Sequence, residues 1–207
     1  KGYLERLREI CDTHGILLVF DEVICGFGRT GKAFAAQSFG VTPDIITMAK
    51  ALTNGALPMG AVAVDDEIYD TVVNAAPENA VELFHGYTFS GHPTACAAGL
   101  AALEIYEKEN LFERAAELSP YFLDQVYSLQ DLNAVTDIRG YGLIAGFDVA
   151  MGDAPGQRGT QLQKDLFWSG LHVKFTGDTG IIAPPFVAEK EHIDQIVGIL
   201  REKLAEL

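Results

Sequence analysis

The chain is 207 residues long, 48% hydrophobic and 21% charged, which suits a folded globular protein with one or two cores rather than a disordered chain. A net charge of −14 repels phosphate backbones and anionic membranes, so nucleic acid is not an expected partner. The longest apolar runs are too short to span a bilayer and no basic-then-apolar leader opens the sequence, so no membrane partner is expected.

The first residues, Gly2 to Ile10, already have the character of a mid-helix segment, with Tyr3, Leu7, Ile10 and Cys11 on one face. No Met and no cap precede them, so the chain is expected to lack an N-terminal portion. The helix stops at His14-Gly15. Ile16 to Phe20 then reads as a strand covered on both faces, because it is apolar without alternation. Gly26 to Gly31 is a loop, and Asp44 to Met48 and Gly60 to Val64 are further short strands. An Ala-rich helix starts near Pro93, a residue suited to the first helical turn, and runs through Tyr106. Alternating helix and strand imply a mainly parallel, doubly wound α/β sheet.

The pattern changes after residue 112. Helix Leu111 to Leu129 leads to a strand, a turn at Arg139-Gly140-Tyr141-Gly142, and a second strand, Leu143 to Val149. Met151 to Gly159 reads as a loop. A helix, the strand Leu171 to Phe175 and a turn at Gly177-Asp178 follow. The last helix places Ile193, Ile196, Val197, Leu200 and Leu204 on one face. The expected domains are therefore residues 1–112 and a smaller α+β domain, 113–207.

The three cysteines, Cys11, Cys25 and Cys96, form neither a zinc pattern nor a disulfide framework, which favours a reducing cytoplasm. The five histidines have no ligand spacing, so no metal is expected.

Chemistry concentrates near two strand ends. Lys50 closes the run Ile45-Ile46-Thr47-Met48-Ala49, and Asp21-Glu22 closes the strand before it. An ammonium is costly to bury unpaired, and a desolvated lysine readily becomes an amine nucleophile or forms a Schiff base. A carboxylate at a neighbouring strand end suggests a cationic ring held between the two groups, as pyridoxal phosphate would be. The plainer alternatives are a solvated loop lysine, and a helix cap or ion pair for the acids.

Gly26-Phe27-Gly28-Arg29-Thr30-Gly31 matches the dinucleotide fingerprint by letter and nearly matches a P-loop. A P-loop fails at Ala33, where a hydroxyl must meet magnesium. It also fails on order, because here the glycines follow the strand ending in Asp-Glu. The dinucleotide reading fails because Asp21 and Glu22 separate strand from glycines. Farther on, His85-Gly86-Tyr87-Thr88-Phe89-Ser90-Gly91-His92-Pro93 puts hydroxyls and N–H groups before a helix N-terminus, fit either to cap it through Ser90 or to meet a phosphate.

Together, Phe20 to Gly31, Pro43 to Lys50 and Gly86 to Pro93 resemble the class III pyridoxal-phosphate aminotransferases, nearest their ω-amino acid (β-alanine):pyruvate branch. The resemblance covers essentially the whole chain, which looks like the C-terminal half of such an enzyme. It implies a fold-type-I transferase: part of the large, mainly parallel-sheet domain plus a C-terminal α+β small domain. Lys50 would carry the Schiff base and shuttle the proton, Asp21 would bind the pyridinium nitrogen, and Val23 would pack on the ring. Thr88 would reach the phosphate bound in the other subunit, implying a homodimer or a dimer of dimers. Ile24 stands where many relatives place Gln, as this branch tends to have it. Lys174, in Leu171-His172-Val173-Lys174-Phe175-Thr176-Gly177-Asp178, stands where the branch usually has an Arg for the substrate carboxylate. The implied reaction is ping-pong amino transfer from an ω-amino acid or amine to pyruvate. An aminomutase or decarboxylase on the same scaffold is an alternative, and a nucleotide-binding oxidoreductase using Gly26 to Gly31 is one from another class.

Overall fold

The computed structural model describes residues 2–83 and 85–207. These fall into two units, one of residues 1–28 and 32–110, the other of 29–31 and 111–207.

In the first unit, helix α1 (Tyr3–His14) ends at Gly15, whose φ of 63° suits the left-handed cap that glycine adopts without strain. Its buried face is Leu4, Leu7 and Cys11, packed on Leu18, Phe20 and Val41. Tyr3 is 71% exposed and Ile10 lies at the surface, contrary to the face read from the sequence. The difference is one of phase, since the stripe runs through Leu4 rather than Tyr3.

Strand β1 (Val19–Asp21) pairs in parallel with β2 (Ile45–Met48), with Asp21 opposite Thr47. Strand β3 (Ala61–Val64) joins the other side of β2 antiparallel, giving the order β1-β2-β3. The expected parallel character thus holds for the pairing that matters to the site. The expectation that Ile16 to Phe20 is covered on both faces does not hold here. Strand formation starts at Val19, β1 lies at the edge of the sheet, and Ile16 and Leu17 are exposed. Helices α2 (Ala35–Phe39), α3 (Asp66–Asn74) and α4 (Pro93–Lys108) complete the unit. Helix α4 starts with Pro93 in its first turn, as read, but its N-cap is His92, which accepts from the Ala95 N–H, rather than Ser90.

The second unit begins with α5 (Leu111–Tyr127). Strands β4 (Val135–Tyr141) and β5 (Ile144–Val149) form a hairpin, and β6 (Lys174–Thr176) and β7 (Thr179–Ile182) a second. The sheet order is β4-β5-β7-β6, antiparallel throughout. Helix α6 (Gln157–Trp168) lies between the hairpins in sequence, and α7 (Lys190–Ala205) closes the unit. Ala145, Phe147 and Val149 alternate inward along β5 and share the core with Leu162, Leu166 and Leu200.

Several boundaries differ from those read in the sequence. Arg139 to Tyr141 belong to β4, and the loop is only Gly142-Leu143. Gly142 takes φ +62°, and a Cβ there would collide with the Arg29 carbonyl, so the chain can reverse more tightly than composition suggested. Helix α6 begins at Gln157, inside the stretch read as loop, and β6 begins only at Lys174. Strand β7 was not foreseen, because an internal Gly argues against a strand. Gly180 is required there: an added Cβ would collide with the Phe147 ring and lie 2.9 Å from that of Phe175.

Candidate active site

Asp21 ends β1 and Lys50 follows the end of β2, so both lie at the carboxyl edge of adjacent parallel strands, where open α/β sheets bind ligands. Lys50 is three steps along the chain from Thr47, the register partner of Asp21, so at most about 11 Å of chain lies between them.

The acidic pair divides its work. Glu22 is 2% exposed, and its two carboxylate oxygens accept from the N–H groups of Ala35 and Ala36, each at 2.7 Å. It is therefore the cap of α2, one of the plain readings of the pair. Asp21 instead faces solvent. Its Oδ1 accepts from the Val23 N–H and from the Thr47 hydroxyl, both at 3.1 Å, and Oδ2 makes no such bond among the described residues. The first bond is a local Asx turn; the second crosses the strands because the register sets 47 beside 21. Val23, half-buried, is held at the same turn.

Lys50 opens a short 3-10 turn, Lys50–Leu52, with φ +45°. A non-glycine residue in this region costs of order 1–3 kcal/mol and persists where its surroundings hold it. The Lys50 carbonyl accepts from the Thr53 and Gly55 N–H groups, and the Tyr106 hydroxyl donates to the Ala51 carbonyl at 2.6 Å. The side chain is exposed rather than desolvated, contrary to the expectation, and its ammonium has no ion pair among the described residues.

Thr88 lies on the loop before α4 and lines a recess of about 390 Å³ with Met59, Gly60, His85 and His92. Its neighbour Tyr87 takes φ +46°, with its N–H on His85 Nδ1. Lys174 belongs to the second unit, exposed on the edge strand β6 opposite Ile181. Asp21, Val23 and Lys50 are thus gathered at one sheet edge, whereas Thr88 sits on a separate loop of that unit.

The glycine loop has other work. The α2 N-terminus that a nucleotide phosphate would need is taken by Glu22, and α2 has only 5 residues. The Arg29 guanidinium donates to the carbonyls of Leu143 and Pro184 and lies 4.7 Å from the Phe186 ring centre. These bonds favour a structural loop over a nucleotide cradle.

Sequence reasoning missed Thr47. The signal was present: Val19-Phe20-Asp21 and Ile45-Ile46-Thr47 are two apolar pairs each closed by a polar residue, which aligns the polar ends in a parallel register.

The profile of the family described as "Aminotransferase class-III" matches residues 1–204. The chain belongs to the class-III aminotransferases. An omega-aminotransferase of Caulobacter vibrioides is 52% identical across the whole of this class-III chain, which covers 47% of that protein. A beta-alanine–pyruvate aminotransferase of Pseudomonas aeruginosa is 50% identical over 98% of the chain and 46% of its own length. The class-III chain therefore spans about half the length of these relatives. Among solved structures, a transaminase with L-alanine superposes with a TM-score of 0.94 at 33% identity, covering 100% of this chain and 50% of its own. An amine transaminase from an uncultivated Pseudomonas species, in a PLP-bound internal aldimine form, gives 0.89 at 35% identity, covering 99% and 48%. The α/β fold is that of the fold-type-I transaminases.

Proposed function

We propose that this chain forms part of an aminotransferase that moves an amino group from an ω-amino acid or amine to pyruvate, with pyridoxal phosphate as cofactor. The observation that carries the reading is the pair Asp21 and Lys50 at the carboxyl edge of β1 and β2. Among the described residues, one is a carboxylate with an oxygen to spare and the other an amine without an ion pair, in a backbone conformation rare for lysine. This donor set fits a cationic ring that also bears an aldehyde. The relatives named for omega-amino acid and beta-alanine transfer to pyruvate support the substrate class.

When bound, the cofactor supplies an electron-withdrawing ring that stabilises negative charge at the substrate Cα. Asp21 Oδ2 would hold the proton on the ring nitrogen, its charge favouring that protonated form. Lys50 Nζ would hold the cofactor at its aldehyde carbon and, once displaced by substrate, would take the proton from the substrate Cα and deliver it to that carbon, C4′. Val23, fixed by its bond to Asp21, would pack against the ring, and Lys174 would hold the substrate carboxylate.

The same reading assigns Thr88 to the phosphate of a cofactor in a second copy, so the functional unit would be a homodimer or a dimer of dimers. It makes residues 1–112 part of a large cofactor domain and 113–207 a small domain. Cys11, Cys25 and Cys96 form no disulfide, which suits a cytoplasmic enzyme.

The test is Lys50→Ala in the protein carrying this chain. Visible cofactor absorbance that borohydride removes should vanish, and transfer from β-alanine to pyruvate should fall by several orders of magnitude. Unaltered turnover, or borohydride labelling of another lysine, defeats the proposal.

A further inference from the structure

We propose that Thr47 is a positioning residue for Asp21, whose carboxylate it locks so that Oδ2 alone is offered to a ligand cation. The inference rests on the reading of Asp21 given under Proposed function and adds a residue to that site.

Three observations meet at Thr47. Its hydroxyl donates to Asp21 Oδ1 at 3.1 Å. The same oxygen accepts the Val23 N–H at 3.1 Å, so both bonds fall on one side of the carboxylate. The register of β1 and β2 sets Thr47 directly opposite Asp21.

An Asx turn alone leaves a carboxylate free to turn about its last torsion, which has a broad, roughly two-fold profile. A second donor, anchored on the neighbouring strand, limits that rotation. It also keeps both bonds on Oδ1, so Oδ2 stays turned to the ligand side. Ordering is then completed before a ligand arrives, so less entropy is lost on binding. Thr47 is itself ordered, because a β-branched side chain in a strand is restricted at χ1.

Thr47→Val deletes the hydroxyl while keeping branching and strand propensity, and Thr47→Ser keeps the hydroxyl. Thr47→Ala removes the same hydroxyl with less bulk, and decides the matter if the Val variant does not fold. Each variant is made in the protein carrying this chain, freed of cofactor, and titrated with pyridoxal phosphate labelled with ¹⁵N in the ring. Thr47→Val should weaken binding roughly threefold to tenfold, and the ring-nitrogen resonance should move toward that of neutral pyridine. Thr47→Ser should restore both. A change in affinity without a change in the nitrogen resonance marks a merely structural residue and overturns the proposal, as does no change in either. Asp21→Asn is the control for the underlying reading. If that variant too leaves the resonance unmoved, the assignment of Asp21 fails; if only the Thr47 variants do, Thr47 alone is misassigned.

Discussion

Lys50 and Lys174 are both exposed lysines, yet their backbones differ in kind. Lys50 is held at φ +45° by the turn that follows it, whereas Lys174 sits in ordinary extended pairing with Ile181 on β6. Strain of the first kind points to a position the fold has to enforce; the second demands nothing of the side chain. The role proposed for Lys174 therefore rests on its charge alone. An ammonium can meet a carboxylate but cannot make two parallel hydrogen bonds, as a guanidinium can. Lys174→Arg is accordingly expected to lower the KM for pyruvate several-fold while hardly changing rates with amines that carry no carboxylate. Steady-state kinetics with both donor types measure it, and an unchanged pyruvate KM would place the carboxylate contact elsewhere. At this scale the sequence exposed Lys50 and Asp21, since each closes an apolar run. It could not say which of Asp21 and Glu22 is free, because that depends on α2 starting 13 residues later against the Glu22 carboxylate.

The hairpin of β6 and β7 shows how one turn can serve another element. The N-cap of helix α6 is Gly156, which has no side chain to cap the first turn. Asp178, in the β6–β7 turn, supplies the cap: its two oxygens accept from the N–H groups of Gly156 and Gly159, each at 2.8 Å. The hydrogen bonds from Gly159 and Gly156 hold its carboxyl below the usual aspartate range. Asp178 thus gives up its proton more readily in the folded chain than in the unfolded one. Its contribution to stability is complete above the ordinary aspartate pKa of about 3.9 and is lost as pH falls through the lower folded value. Asp178→Asn turns one acceptor into a donor aimed at an N–H. The variant should melt below the parent at neutral pH, and the two should converge in acid. Thermal denaturation across pH decides this; a gap that persists at every pH would assign the loss to geometry instead of charge. Elements of this kind explain what the sequence did not reveal. The turn at Gly177-Asp178 was legible from its residues, but β7 beyond it was not. Its Gly180 looks like a strand breaker until the Phe147 and Phe175 rings are seen to need the space. Long amphipathic segments such as α7 were legible because their period is internal to the segment, whereas short strands are defined by partners far along the chain.

Over the whole chain, a large negative charge opposes exposed apolar surface. The first unit leaves Ile16 53%, Leu17 56% and Val62 63% exposed around a sheet whose outer strand, β1, is paired on one side only. An apolar edge of this kind is a template for further pairing. The net charge of −14 works against it by mutual repulsion between copies, but only over distances that salt shortens. The screening length falls from about 30 Å at 0.01 M salt to about 10 Å at 0.1 M, well under the size of a folded unit. The isolated 207-residue chain should therefore stay dispersed at low ionic strength and self-associate as salt is raised, with dye binding that reports exposed apolar surface at both extremes. Leu17→Lys places a charge beside the open edge without touching Asp21, Thr47 or Lys50, and should suppress the salt-induced association while leaving the melting midpoint nearly unchanged. Sedimentation velocity at the two ionic strengths measures both forms. Association that is strongest at low salt, or that Leu17→Lys leaves intact, would show that contacts other than this edge govern how copies of the chain meet.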